Sequence, residues 1–218
     1  MNRLSGKGRE HISLLLDRPD GNIGVELGVA AGDFSEVLLD SGCFKCLYGI
    51  DAYDDHHDVD EYKFALKRLG WQNQEKRYTL LRMCFNQALE LFEDNILDFV
   101  YIDGYAHTGQ NGGQTIYDWF RKVKVLGVLS GHDYCSDFPL TMRAVDHLVH
   151  RTGLKLHVSD MPGQSPSWAV IKTSDTIIDD VPQSLLRDAN RAHQYRMFRS
   201  TLGSLIKPML IKAGFTKR

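Results

Sequence analysis

Residues 22–42 read NIGVELGVAAGDFSEVLLDSG. The run NIGVELGV is short and apolar with glycine at both sides, which predicts a buried strand over 22–29. DFSEVLLDSG has helical spacing, with Phe34, Val37 and Leu38 on one face and Gly42 as a stop. Between the two, Gly28, Ala30 and Gly32 are all small. Small residues let the main chain turn tightly and let a ligand approach it. The amide groups that open the following helix then face that ligand. A strand passing through such a turn into a helix is a building unit of a parallel α/β sheet.

The same alternation continues along the chain. Further strands are expected at 46–52, 78–84, 96–104 and 126–134, and helices at 61–70, 86–95, 113–123 and 139–153. The helix at 139–153 starts on Pro139 and stops on Gly153, as that asymmetry requires. Residues 155–160 and 167–173 look like two final strands joined by a Met-Pro-Gly turn with no helix, so they should pair antiparallel. The expectation is α/β: a doubly wound, mostly parallel seven-stranded sheet, Rossmann-like, with an antiparallel last strand. Residues 1–178, including a short N-terminal helix, are expected to form one domain, and 179–218 a basic helical tail. In such sheets the ligand sits beyond the carboxyl ends of the strands, where the strand order switches.

Acids stand at those ends. Asp51 closes the second strand in YGIDAY, and Asp103 closes the fourth in DFVYIDG. Asp133 closes the fifth in LSGHDY, beside His132. After Asp103 comes a polar, glycine-rich stretch, YAHTGQNGG (105–113), which carries His107. The turn at 28–33 misses two of the three glycines of a dinucleotide fingerprint, with Ala at 30 and Asp at 33. An acid opening the helix repels a pyrophosphate and suits a cationic or zwitterionic ligand. An acid at the position of Asp51 can accept both hydroxyls of a ribose.

Glu26 with Gly28, Ala30 and Gly32, then Asp51, resembles the cofactor site of class I S-adenosylmethionine-dependent methyltransferases. The resemblance runs from about residue 22 to 173. It implies that Glu26 lies near the amino acid end of the cofactor and that the glycines carry the backbone past it. It also implies that Asp51 and its neighbour Ala52 hold the ribose, and that Cys84 and Phe85 stand against the adenine, with Asp103 completing the site. IDG at 102–104 and GHDY at 131–134 are similar to a group that includes macrocin O-methyltransferase and cephalosporin hydroxylase-like proteins. That likeness implies methylation of a hydroxyl on a sugar or other small polar molecule. It also implies a divalent metal such as Mg²⁺ on Asp103, Asp133 and His132. Asp103, Asp133 and His107 are the expected catalytic residues. A hard cation bound to oxygen lowers the pKa of a hydroxyl, and a histidine accepts its proton directly. Two other readings stay open: a cofactor-binding scaffold without catalysis, and a nicotinamide oxidoreductase.

The remaining features bound the partners. The 218 residues are 43% hydrophobic and 25% charged, with a formal net charge of −2, an ordinary globular composition that points to no nucleic acid. From Arg187 onward there are eight Lys or Arg against one acid, while the rest of the chain has 18 bases and 27 acids. An acidic body thus ends in a basic tail. In that tail Leu185, Leu186, Ala189, Ala192, Tyr195 and Phe198 recur at helical spacing, and Leu205, Ile206, Met209, Leu210 and Ile211 form a second apolar patch broken by Pro208. Packing on a partner subunit is expected, with self-docking next and membrane contact last. No apolar run is long enough to span a membrane or to core a secretory signal. Four cysteines in a chain this long are no disulfide framework, so a cytoplasmic setting is expected. Cys43-Phe44-Lys45-Cys46 precedes a strand, and neither redox nor zinc chemistry suits it there.

Overall fold

A computed structural model describes residues 1–54, 58–104, 110–175, 178, 180–195 and 198. Eight strands form one sheet: β1 (Asn2–Ser5), β2 (Asn22–Leu27), β3 (Phe44–Asp51), β4 (Tyr78–Arg82), β5 (Leu97–Ile102), β6 (Val123–Gly131), β7 (Leu156–Asp160) and β8 (Trp168–Ile171). Their order across the sheet is β1-β7-β8-β6-β5-β2-β3-β4. All neighbours pair parallel except β8, which runs antiparallel to both β6 and β7. The doubly wound architecture and its antiparallel last strand are as expected. The count is eight strands rather than seven, because β1 adds itself to the edge of β7. Its four residues, NRLS, carry one apolar side chain, too little pattern to mark a strand.

Two cores lie on opposite faces of the sheet. One face is covered by a 3-10 helix (Arg9–Leu15), α1 (Asp33–Asp40) and α2 (Val59–Gln74). There Ile12, Phe34, Leu38 and Leu69 pack on Leu47, Phe99, Tyr101 and Val128. The other face carries α3 (Phe85–Ala88), α4 (Gln114–Lys122) and α5 (Pro139–Thr152). There Ile116, Trp119, Phe120, Ala144 and Leu148 pack on Val25, Val100, Leu129 and Val170. Burial from both sides explains why β5 has all six residues buried. Its one charge, Asp98, is held by Arg18 at 2.8 Å, by Lys124, and by the Ile23 N–H at 2.9 Å. The helix expected over 86–95 is only α3 followed by one 3-10 turn, Leu89–Leu91.

The chain beyond β8 folds back on the second face. Ile178, Val181 and Leu185 belong to the same core as α4 and α5. Residues 183–195 are helical, and Arg143 on α5 pairs with Asp188 at 2.7 Å. The start of the tail therefore docks on its own body. The second apolar patch, 205–211, lies outside the described residues. Among the described residues, no helix is long and apolar enough to cross a membrane.

Candidate cofactor and catalytic site

The strand order switches between β2 and β5: β2 has β3 on one side and β5 on the other. The residues that leave these strands meet there. The Asp103 N–H donates to the Leu27 carbonyl at 2.7 Å, and the Gly28 N–H donates to the Ile50 carbonyl at 2.9 Å. Gly28 has φ +92°, and a Cβ on it would lie 2.2 Å from the Asp103 carbonyl oxygen. The turn continues through Ala30 at φ +48° to Gly32 at φ +85°, the residue preceding α1. These left-handed positions alternate along the turn and bring its main chain close against the end of β5.

Asp51 organises this turn. Its Oδ2 accepts from the amides of Val29 at 2.9 Å and Ala30 at 3.1 Å, and its Oδ1 accepts from the Tyr53 amide at 2.9 Å. The residue is 8% exposed. The sequence suggests an acid that holds a ribose; here each carboxylate oxygen also accepts from the backbone of the turn. Tyr53 closes the arrangement by donating its hydroxyl to the Ala30 carbonyl at 2.8 Å. Asp51→Ala is therefore expected to destabilise the protein by about 3 kcal/mol, since three buried amides lose a charged acceptor. Cofactor affinity should fall with it. Urea unfolding checks the first effect, and a midpoint equal to wild type would remove this role.

Glu26 lies beneath the turn, 1% exposed, and accepts a short hydrogen bond from the Ser35 hydroxyl. Ser35 in turn shares a 3.0 Å contact with the Tyr78 hydroxyl. Burial pushes the Glu26 carboxyl up to about 8; the Ser35 hydrogen bond opposes this, and the negative charge of Asp103 adds to it. Ala52 is partly exposed, and its carbonyl accepts from Arg82 Nε at 3.4 Å. Cys84 precedes α3 and is partly exposed, with its amide donating to Gln87 Oε1 at 3.2 Å. Phe85 is buried and packs under Gly104, where a Cβ would lie 2.3 Å from its ring. Of the expected adenine pair, Cys84 is thus the more exposed member.

On the other side of the crevice, Asp103, His132 and Asp133 come together. His132 Nδ1 lies 3.4 Å from Asp103 Oδ1 and 3.1 Å from Asp133 Oδ1. Asp133 sits in the left-handed region at φ +59° and is 6% exposed, which turns its carboxylate inward. It also accepts a short hydrogen bond from the Ser165 hydroxyl. Asp103 Oδ2 pairs with Arg9 Nη1 at 3.1 Å. His107 lies outside the described residues, as do His56 and His57 in the loop after β3.

The two groups implied by the resemblance fare differently. The glycine cradle and the acids at the switch point fit an adenosyl sulfonium with a zwitterionic end. The metal set Asp103, Asp133 and His132 does not assemble as one. Among the described residues, no three His, Cys, Asp or Glu side chains are arranged to hold a cation. One ring nitrogen of His132 instead lies within ion-pair distance of both carboxylates. The residues that sequence reasoning misses are Arg9, Tyr53 and the Ser35–Tyr78 pair. None stands in a recognisable motif; only the fold brings them to this crevice.

Comparison with known proteins agrees with the geometry. Residues 23–134, just over half of the chain, match the model of a family described as a methyltransferase domain. Solved structures with the same fold include cofactor-bound Rv0187 from MTB, with 15% identity, TM-score 0.59, and 76% of this chain and 79% of that one covered. SMU.1697c from Streptococcus mutans, solved in complex with SAH, has 14% identity, TM-score 0.55, and 74% and 93% covered. A SAM-dependent O-methyltransferase from Thermotoga maritima has 14% identity, TM-score 0.53, and 75% and 63% covered. At these identities the likenesses speak for the fold. Among curated proteins, none matches the chain. The family match spans the glycine turn, Asp51, Asp103 and Asp133, and the chain belongs to the methyltransferase domain family as a class I S-adenosylmethionine-dependent methyltransferase.

Proposed function

We propose that this methyltransferase acts on a hydroxyl of a small polar acceptor, a sugar or sugar-like molecule, with His132 taking the acceptor's proton. The observation that carries the reading is the placement of His132 Nδ1 between Asp103 and Asp133 at the ends of β5 and β6. With Nδ1 turned toward two carboxylates, Nε2 is the ring nitrogen left to take the acceptor's proton. The likeness of IDG (102–104) and GHDY (131–134) to the macrocin O-methyltransferase group supports a hydroxyl as the acceptor.

S-adenosylmethionine, when bound, supplies a methyl group on a sulfonium leaving group. The protein's part is alignment and proton handling. The turn at 28–32, held in shape by Asp51, would position the adenosyl end. His132 Nε2 would take the hydroxyl proton of an acceptor aligned with the cofactor's methyl group. Asp103 and Asp133 face His132, and they pair with Arg9 and Ser165 respectively.

The test is methyl transfer from labelled S-adenosylmethionine to a panel of polyhydroxylated acceptors, with and without chelator. His132→Gln should lower turnover by roughly 10²- to 10⁴-fold with cofactor affinity retained, the usual contribution of a positioned base. Chelator should leave turnover unchanged. Loss of activity in chelator, restored by Mg²⁺, would replace this reading with metal assistance. Full activity in His132→Gln with none in His107→Gln would move the base to His107.

A further inference from the structure

The N-terminal segment crosses from the sheet edge to the switch point. β1 pairs parallel with β7, so it delivers the chain to the same carboxyl ends where the crevice lies. The Gly6 N–H donates to the Asp160 carbonyl at 3.0 Å, and the Asp160 N–H donates to the Lys7 carbonyl at 3.1 Å. Ile12, fully buried among Phe34, Leu38 and Phe99, anchors the other end of the segment. Arg9 is fixed between these anchors. Its Nη1 lies 3.1 Å from Asp103 Oδ2, and its guanidinium carbon stands 4.5 Å above the Phe34 ring. Its side chain is 34% exposed, so it borders solvent at the crevice. The segment lies outside the family match, which begins at residue 23.

We propose that Arg9 is a cofactor-binding residue that receives the α-carboxylate of S-adenosylmethionine beside Asp103. This rests on the cofactor reading given above. The cofactor's amino acid end is a zwitterion, with one carboxylate and one ammonium a few ångströms apart. An Arg–Asp pair presents the complementary two charges at the same spacing. Asp103 offers a carboxylate for the ammonium, and Arg9 offers planar donors that suit a carboxylate. The guanidinium carries five N–H donors in a fixed fork, and the Asp103 contact runs through Nη1. Stacking on Phe34 sets the plane of that fork. Without Arg9, the cofactor carboxylate would enter a crevice already lined by Asp51, Asp103 and Asp133, where like charges repel it.

The test compares two ligands that differ only in that carboxylate. Calorimetric affinities of the full-length protein, Arg9→Met and Arg9→Lys are measured for S-adenosylmethionine and for decarboxylated S-adenosylmethionine. Arg9→Met should lose roughly 10- to 100-fold for S-adenosylmethionine, the range for a charge-assisted hydrogen bond. It should change by less than about threefold for the decarboxylated ligand. Arg9→Lys should recover part of the loss, since it restores the charge without the fork. Equal losses for both ligands would mean that Arg9 acts through the fold and would overturn the assignment. Unchanged affinities for both would overturn it as well, while leaving the cofactor reading in place. A wild-type protein that binds neither ligand would remove the cofactor reading, and this one with it.

Discussion

Gly28→Ala is expected to melt roughly 10 °C below wild type and to bind no S-adenosylmethionine measurable by calorimetry. The methyl group would sit 2.2 Å from the carbonyl oxygen of Asp103, 2.5 Å from its carbonyl carbon and 2.7 Å from the Gly104 nitrogen. All three are backbone atoms of the neighbouring strand end, so no side chain can swing away. The position also has φ +92°, which an L residue adopts only with strain. Overpacking and backbone strain together cost about 4 kcal/mol. Relief would require Asp103 to move, which separates its carboxylate from Arg9 and His132. Gly42→Ala is the matched control. It too has a positive φ, +73°, but nothing lies within 4 Å of its Cβ, so it should cost only about 1 kcal/mol. Equal melting temperatures for the two variants would show that the close approach at Gly28 has no energetic weight.

Glu26 should make the ligand-free protein less stable as pH rises. Its carboxyl is raised from 4.5 to about 8, by burial first, with the Ser35 hydrogen bond opposing and Asp103 adding to the rise. Between those values the folded state holds a proton that the unfolded state has released. Stability is therefore full below about pH 4.5 and falls toward pH 8, at about 1.4 kcal/mol per unit. Over pH 5 to 7.5 the expected loss from this group is about 3 kcal/mol. Glu26→Gln keeps the shape and an acceptor for Ser35 but cannot ionise. It should lack this loss over that range, and its stability should exceed wild type at pH 7.5. A cationic ligand above the turn favours the ionised carboxyl, so wild-type affinity should rise with pH while that of Glu26→Gln does not. Parallel urea melts of the two proteins at pH 5 and 7.5 decide it. Identical slopes would show that Glu26 is already ionised when buried.

Much of the site was legible in the sequence because its parts are local. Gly28, Ala30 and Gly32 stand between a strand pattern and a helix pattern, and a turn of that kind has few other uses. Asp51, Asp103 and Asp133 each end an apolar run, so topology alone carries them to one edge of the sheet. Their partners were not legible. Asp51 was expected to hold a ribose, and the sequence does not show that its oxygens also accept from the amides of Val29, Ala30 and Tyr53. Asp133 was expected to hold a metal with His132, and the sequence does not show that it accepts from Ser165 and lies 3.1 Å from His132 Nδ1. A carboxylate at a strand end can do any of these things, and the choice depends on which donors arrive from elsewhere in the chain.

By itself the sequence determined the alternation of strands and helices, the glycine turn and the closing antiparallel pair, because periodicity and turn chemistry are written within a dozen residues. The tertiary structure decided that NRLS becomes an eighth strand, that the chain after 178 returns to its own core, and that Arg9 reaches Asp103 across 94 positions of sequence. Those outcomes follow from burial and charge pairing between distant segments. Such pairing leaves no local period, since each partner alone is an ordinary residue and only packing sets them a few ångströms apart.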